Sequence, residues 1–241
     1  TRVSIAHVDF SLFNKMHLEG VLIEDRQGDT VLYAGDMKVR ITDWFFFKKQ
    51  AELKYVGLEN AIIKFQRTDS VWRQQFLLDY FGSSGGSGKK KEGGLKLDLR
   101  KLELKNVSFL KRDGWMGEDM HIKVGSLDMD ADKLSLSGNR FEVNSLLINN
   151  PVVAINKYDR RKPKKISTAA EIEAEVKRAL GWNNHSVVKV GNLAIINGVF
   201  STDRADKPRL DYFDGQHLLF TAINGKWRNA RFEEDTVFAT M

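Results

Sequence analysis

Histidines and alternating aspartates are the residues of this chain whose types could bind a metal or move a proton. The five histidines form no HExxH pattern, and no two of them stand four positions apart; they are His7, His17, His121, His185 and His217. Asp128, Asp130 and Asp132 alternate with apolar residues, which places them on one face of a strand, and they lack the central glycine and terminal glutamate of an EF-hand loop. We therefore predict a solvated strand face and no metal site.

Nucleophiles and phosphate-binding loops are also missing from the sequence. It contains no GxSxG, no P-loop, and no GxGxxG after a strand. It contains no cysteine, which excludes thiol catalysis, disulfides and cysteine-based zinc sites. We expect a protein that is not an enzyme and that needs no cofactor.

The most apolar local cluster is WFFFKKQ at 44–50. Four consecutive aromatic residues cannot all face one side of a strand, because successive side chains alternate. Two interpretations stay open. The aromatic residues pack in a core or repeat interface, or they face lipid while Lys48 and Lys49 extend to the interface.

Strands are the elements that must position all of these residues. Several segments place apolar side chains two positions apart with polar ones between them, which is typical of strands with one dry and one wet face. The segments are MKVRI at 37–41, LKLDL at 95–99, MHIKV at 120–124, LDMDA at 127–131 and FEV at 141–143. One-sided alternation favours antiparallel sheet over the continuous apolar runs of buried parallel sheet. We predict a mainly β protein.

One amphipathic helix is predicted at 168–180. Thr168 and Glu171 match a capping box, Gly181 suits the C-terminal position, and Ile172, Val176 and Leu180 form one apolar stripe. A second segment, VWRQQFLLDYF at 71–81, fits either a helix or an irregular strand end. The Gly/Ser/Lys tract at 82–94 has the composition of a flexible linker.

The formal net charge is +6 and the sequence pI is about 9.3. Two basic clusters, KKKEGG at 89–94 and DRRKPKK at 159–165, contribute most of the excess. Solvated loops are the simplest interpretation, and contact with anionic lipid headgroups is an alternative. Nucleic acid is disfavoured, because neither cluster interleaves aromatic residues and no nucleic-acid-binding motif is present.

Length and termini indicate a piece of a longer protein. The 241 residues could form one large or two modest domains. No apolar run approaches the roughly 18 residues that span a bilayer. The chain begins TRVSIAHVDF without a methionine or signal-peptide core and stops within a strand-like DTVFATM. We expect a soluble fragment.

An internal repeat organises the chain. Gly20-Val21, Asn106-Val107 and Gly198-Val199 occupy equivalent places in similar segments, separated by 86 and 92 positions. The resulting boundaries are a first β repeat at 1–81, a loop at 82–94, a second repeat at 95–158, a basic loop and helix at 159–185, and a truncated third repeat at 186–241. Such units indicate a stack of repeats.

The order of these motifs resembles the AsmA-like proteins, and most closely the TamB (translocation and assembly module) group of Bacteroidetes. The resemblance rests on HLEGVLIEDRQGDTVLYAGDMKVRI, on LKYVGLENAIIKFQRTDSVWRQQFLLDYF and on a third segment from LAIINGVF to DTVFA. Matching positions in the first two segments are Gly20, Val21, Ile23, Asp25, Asp29, Thr30, Leu32, Ala34, Asn60, Ile63, Arg67, Trp72, Phe76 and Phe81. The helix at 168–180 has no clear counterpart.

The resemblance implies a periplasmic segment of a bridge-like lipid transfer protein. Such a protein is anchored in the inner membrane by a segment this chain lacks and meets an outer-membrane assembly barrel through a missing C-terminal region. Its elongated, curved antiparallel sheet forms an open groove that shields phospholipid acyl chains in transit between the membranes. Phospholipid is then the expected ligand and the barrel protein the expected partner.

The residues themselves allow the same mechanism, because an apolar sheet face with few helices to cover it could be met by acyl chains. The expected groove lining is Val39, Ile41, Leu97, Leu99, Ile122, Val124, Val143, Ile148, Leu218 and Phe220. The alternative is a structural or adhesive β-repeat module whose dry faces pack together and whose loops bind a glycan or protein partner, including assistance to outer-membrane protein assembly.

Overall fold

The computed structural model describes residues 1–11, 15–41, 50–76, 94–134, 140–161, 187–233 and 236–240. The aromatic cluster at 44–47, the Gly/Ser/Lys tract at 82–93 and the predicted helix at 168–180 lie outside these ranges. Of the segment 71–81 only residues 71–76 are described. They form a turn in which the Gln75 N–H donates to the Trp72 carbonyl at 3.0 Å.

Twelve strands make up the described chain, and all belong to one sheet. They are β1 (Arg2–Ser4), β2 (His7–Ser11), β3 (Lys15–Glu24), β4 (Thr30–Ile41), β5 (Gln50–Arg67), β6 (Gly94–Asp113), β7 (Glu118–Leu134), β8 (Arg140–Asn149), β9 (Val152–Lys157), β10 (Val187–Arg204), β11 (Leu218–Glu233) and β12 (Thr236–Thr240). The mainly β prediction is confirmed.

The strand order along the sheet is β1-β3-β4-β5-β6-β7-β8-β10-β11-β12, with β2 beside β3 and β9 between β7 and β10. Three groups of strands run antiparallel within themselves: β3 to β5, β6 to β9, and β10 to β12. Every described element contacts only the strands with which it hydrogen-bonds. The described strands therefore form a single layer.

Parallel pairing joins the three groups, so the sheet is mixed where a purely antiparallel one was expected. β5 pairs in parallel with β6, and β10 pairs in parallel with both β8 and β9. We call these two boundaries the parallel seams. One-sided alternation looks the same in both pairing modes, which is why the sequence pattern did not reveal them. Parallel neighbours need a long crossover connection, and residues 68–93 and 158–186 provide the two that are required here.

β8 and β9 behave as one interrupted strand, because both pair with β7 on one side and β10 on the other. The interruption is Asn150-Pro151. Asn150 has a positive φ of 49°, and proline cannot donate a backbone hydrogen bond to the ladder.

Residues in the left-handed conformation line up across the sheet at one level. Gly20, Asn60, Asn106, Asn150 and Asn197 have φ between 49° and 60°. We call these five residues the bulge row. At this level the alternation of side chains changes by one position, so that Leu18 and Val21, three residues apart, belong to the same buried cluster. The change runs through β3 to β7 alike, and the pairing register passes through it without an extra residue on either partner.

Candidate functional site

One face of the sheet is lined by uninterrupted rows of apolar side chains. Below the bulge row, one row consists of Leu18, Met37, Leu58, Leu104, Leu127, Ile148 and Ile195. The next consists of Met16, Val39, Val56, Leu102, Met129, Leu146 and Leu193. Directly paired residues share a face of the sheet, so each row crosses from β3 to β10 on one side.

Two further rows lie above the bulge row. The first consists of Val21, Ala34, Ala61, Val107 and Val124. The second consists of Ile23, Leu32, Ile63, Phe109, Ile122, Val153, Phe200 and Phe220. We call the surface formed by these four rows the apolar face.

Burial is deepest beside the bulge row. Ala34 is 0% exposed and Ala61 is 1% exposed, although the described residues form a single layer. Small side chains there are covered by larger ones from the rows on either side, such as Met37 and Leu58. At the far edge of the sheet, in contrast, Phe220 is 52% exposed.

The buried residues of this face form two clusters that meet. One lies around Val21, Ala61 and Val107, and the other around Met129, Val143 and Val190. Leu127 packs against both. The apolar face is therefore continuous along the direction perpendicular to the strands.

Most of the predicted lining residues lie on this face. Register and clustering place seven of them there: Val39, Leu99, Ile122, Val124, Val143, Ile148 and Phe220. Leu218 stands two positions before Phe220 on β11 and therefore shares its face. The backbones of Ile41 on β4 and Leu97 on β6 both pair with that of Leu53 on β5. The structure describes the strand positions of Ile41 and Leu97 but not their side chains. Their role as a lipid lining stays a prediction.

The sequence pattern missed much of the central part of this face. Leu58, Leu104, Ala61 and Val107 belong to it, on strands where the parity of the apolar positions changes at Asn60 and Asn106. The pattern that could have revealed them is a turn-prone residue between two segments whose apolar positions alternate out of step. Such a residue can mark an irregularity within one continuous strand as well as a turn between two strands.

The opposite face carries charged side chains below the bulge row. Asp128, Asp130 and Asp132 are exposed there, as expected of a solvated strand face. Asn144 on β8 donates to the last two, at 3.2 Å and 2.9 Å. Above the bulge row this face is less polar, and Tyr33 and Ile62 are exposed on it.

Two histidines have carboxylate partners that sequence spacing could not reveal. His17 Nε2 lies 2.8 Å from Asp36 Oδ1, and ligand atoms of His17, Glu19 and Asp36 come within 4.8 Å of one another. The hydrogen bond between His17 and Asp36 accounts for this arrangement without an ion. His217 Nδ1 lies 2.6 Å from Asp203 Oδ1, and the His217 side chain is 6% exposed.

Hairpin turns at one end of the strands are held by aspartates. Asp25 accepts hydrogen bonds from the N–H groups of Gln27 and Asp29 at 2.8 Å and 3.0 Å. Asp214 does the same for Leu210 and Gln216, both at 3.0 Å. These local bonds satisfy turn N–H groups that the ladder leaves unpaired.

The third such aspartate, Asp113, is the most buried, at 2% exposure. It accepts two hydrogen bonds from the Arg67 guanidinium, both at 2.7 Å, and one from the Met116 N–H at 3.0 Å. Burial alone would raise the pKa of Asp113, but these hydrogen bonds and the Arg67 charge outweigh it, so that the pKa is lowered. Arg67 in turn lies 4.4 Å from the centre of the Trp72 ring.

Comparison with family models and with curated proteins does not assign the chain to a family. No protein-family model matches the chain, and no curated protein matches it. Within the ranges that the structure describes, no helix is long and apolar enough to cross a bilayer.

Proposed function

We propose that this chain is a segment of a bridge-like lipid transfer protein of the periplasm, similar to the AsmA-like and TamB proteins, and that its apolar face shields phospholipid acyl chains. The observation that carries the proposal is the continuity of the apolar face across a single-layered sheet. The longest of its rows, from Ile23 to Phe220, reaches from β3 to β11 and crosses eight strands. At about 4.8 Å per strand this is a path of about 34 Å.

The energetics favour lipid as the occupant of such a face. An acyl chain gains about 0.8 kcal/mol for each methylene that leaves water. A row of Leu, Ile, Val and Met side chains offers no hydrogen-bonding group that would fix the chain at one place, so a lipid can slide from row to row. Transport along this face requires no catalytic residue.

The bulge row supports a concave shape for this face, and the tandem arrangement of the three antiparallel groups supports a stack of repeats. The change of side-chain alternation at one level across β3 to β7 gives the sheet a line along which it can bend, and a bend along that line would turn a flat sheet into a trough. The near-complete burial of Ala34 and Ala61 within one layer is what the floor of such a trough requires. Headgroups would remain in solvent at the open side.

The test is lipid occupancy of the purified 241-residue chain. Native mass spectrometry without detergent should detect bound phospholipid. A photoreactive residue at Ile148, on the apolar face, should crosslink to that lipid, whereas the same residue at the neighbouring Leu147, on the opposite face, should not. A lipid-free protein, or equal crosslinking from both positions, contradicts the proposal.

The alternative, a structural or adhesive module, makes a different prediction. In that case the apolar face is covered by protein or by another copy of the sheet, and no lipid copurifies. The exposed aromatic residues Tyr212 and Phe213, at 73% and 83%, would then be the first place to look for a partner.

A further inference from the structure

A cavity of about 720 Å³ lies over β3 to β6. It touches Met16 and Val39 of the apolar face, but its other lining residues are polar and most belong to the opposite face. Its polar lining consists of Lys15, His17, Lys38, Arg40, Lys54, Tyr55, Arg100, Lys101 and Glu103. Six of these side chains are permanently cationic and one is a carboxylate. The volume is within the usual range of small-molecule sites, about 300 to 1,000 Å³.

Cations stand directly opposite one another in this cavity. Lys15 on β3 pairs with Arg40 on β4, and the neighbouring pair on the same face is His17 with Lys38. Like charges directly opposite each other destabilise a sheet. None of Lys15, Lys38, Arg40 and Lys54 forms an ion pair with a carboxylate of the described ranges.

The single carboxylate compensates Lys101 and leaves Lys15, Lys38, Arg40 and Lys54 without a carboxylate partner in the described part of the chain. Glu103 accepts a hydrogen bond from Lys101 Nζ at 2.7 Å and another from the Tyr55 hydroxyl at 2.7 Å. The hydrogen bond from Lys101, followed by that from Tyr55, lowers the pKa of Glu103. Burial, with Glu103 beside it, raises the pKa of Tyr55 to about 12, so the phenol remains a donor.

Tyr55 forms the floor of the cavity. Its ring lies across Gly57 on the same strand, since a Cβ added to Gly57 would stand 2.7 Å from the Tyr55 hydroxyl oxygen and 3.5 Å from the Lys38 Cβ. The absence of a side chain at Gly57 leaves room for the hydroxyl end of Tyr55 beside Lys38 on β4 and Glu103 on β6. A flat aromatic surface flanked by cations can carry the body of a ligand while its anionic groups reach to the sides.

Immediately beside the cavity on the same face, cations have acidic neighbours. Lys105 forms an ion pair with Glu59 at 2.7 Å, and in the register row of Lys101 the next residue is Asp130 on β7. Lys15, Lys38, Arg40 and Lys54 therefore form a group of cations within one cavity that have no carboxylate partners in the ranges the structure describes.

We propose that this cavity binds a ligand that carries two or more phosphate groups. Lysine and arginine side chains are the usual phosphate-binding groups of proteins. The cations without a carboxylate partner among the described residues, Lys15, Lys38, Arg40 and Lys54, lie on three adjacent strands, across two strand spacings of about 4.8 Å. This spread suits several linked or closely spaced phosphates better than one. The site lies on the other face from the proposed lipid path and does not depend on it.

The test uses inorganic tripolyphosphate as the probe, titrated calorimetrically into the 241-residue chain at constant ionic strength. Saturable binding at one site is expected, with orthophosphate binding more weakly. The double variant Lys38→Glu/Arg40→Glu should weaken tripolyphosphate binding by at least about tenfold, which is about 1.4 kcal/mol.

A matched control lies on the same face. Lys226 and Arg228 on β11 lie in the two register rows that contain Lys38 and Arg40, respectively, and both lie outside the cavity. Lys226→Glu/Arg228→Glu makes the same change in net charge and should leave binding unchanged within about twofold. If the glutamate variants do not fold, Arg40→Gln and Arg228→Gln make the same comparison.

Flotation with phosphatidylcholine vesicles containing a bisphosphorylated inositol lipid distinguishes a lipid-borne from a free phosphate ligand. Vesicle binding that is lost in Lys38→Glu/Arg40→Glu and competed by tripolyphosphate indicates a lipid headgroup. Binding of tripolyphosphate alone indicates a free ligand. Absence of saturable tripolyphosphate binding, or equal weakening by both double variants, overturns the proposal.

Discussion

Asn106 Nδ2 donates a hydrogen bond to Asn60 Oδ1 across 2.7 Å, and both residues have a positive φ, 51° and 52°. They face each other across the first parallel seam, between β5 and β6. Asn197 donates in the same way to Asn150 at 2.8 Å across the second seam. Each parallel seam is thus bridged by a pair of left-handed asparagines, which combine the tolerated backbone conformation with a side chain short enough to reach its neighbour.

Replacing Asn106 by valine should destabilise the protein, chiefly because a β-branched residue resists the left-handed conformation. We expect Asn106→Val to lower the free energy of unfolding by about 2 kcal/mol, and Asn106→Gly, which keeps the backbone and loses only an exposed hydrogen bond, by less than about 1 kcal/mol. Urea denaturation measures both. Equal losses for the two variants would show that the side-chain hydrogen bond, and not the backbone, is what matters.

Ile148→Asp and Leu147→Asp separate the two faces of one strand. Ile148 packs into the apolar cluster, whereas Leu147 is 39% exposed on the other face. If the apolar face is open to lipid, Ile148→Asp keeps the fold, loses about 1 to 3 kcal/mol of stability and abolishes lipid binding, while Leu147→Asp changes neither property much. Circular dichroism and lipid quantification provide the two measurements. Complete unfolding of Ile148→Asp alone would instead indicate a closed core.

The Arg67 to Asp113 pair should make stability depend on pH in the acid range. Because the folded pKa of Asp113 is lowered, its contribution is present above the ordinary aspartate pKa of about 3.9 and is lost as the pH falls through the folded pKa. Asp113→Asn should cost about 3 kcal/mol at neutral pH, since it leaves Arg67 without its carboxylate. The difference between wild type and variant should shrink on acidification.

Asp206→Asn is the control for that experiment, because Asp206 forms a similar two-bond pair with Arg204, at 3.0 Å and 3.1 Å, at the surface. Its loss of stability should be much smaller, as solvent screens an exposed pair. Chemical denaturation at several pH values compares them. A constant difference between wild type and Asp113→Asn at all pH values would refute the assigned role of the ion pair.

Gly117→Ala and Gly28→Ala distinguish the stability cost of backbone strain from that of a steric clash. Both glycines lie in hairpin turns with positive φ, 73° and 84°. A Cβ at Gly117 would stand 2.2 Å from the Tyr158 carbonyl oxygen, whereas nothing lies within 4 Å of one at Gly28. Gly28→Ala should cost about 1 kcal/mol. Gly117→Ala should cost clearly more and should loosen the contact between the β6-β7 turn and the end of β9. Thermal unfolding and hydrogen exchange at Tyr158, whose N–H donates to Gly117, report the two effects.

The strand content and the existence of one dry face could be predicted because alternation is a local property. Met120, Ile122 and Val124 show it, and so do Leu127, Met129 and Ala131, which read as two separate strands. In the structure both belong to β7, and the change of parity occurs at Gly125. Glycine marks turns and bulges alike, so composition alone could not decide between them.

Pairing between distant strands could not be predicted, for the same reason. Tyr55 and Glu103 are 48 positions apart, and His17 and Asp36 are 19 apart; only the register of the sheet brings them together. The basic cavity is invisible in the sequence because its cations come from four strands, whereas the conspicuous basic runs at 89–94 and 159–165 belong to connections. Sequence indicated the faces of strands, and register decided which residues became neighbours.

The parallel seams also affect how the sheet can form. Within each antiparallel group, strands that follow one another are joined by short connections and can pair early, because little chain entropy is lost when a short loop closes. Across the first seam, Gln50 pairs with Gly94 and Arg67 with Asp113. Every backbone pair between β5 and β6 therefore joins residues more than forty positions apart. Such non-local strand pairing forms slowly. Amide protons of the seam should therefore acquire protection last during refolding, and the groups on either side should behave as separate cooperative units before they join.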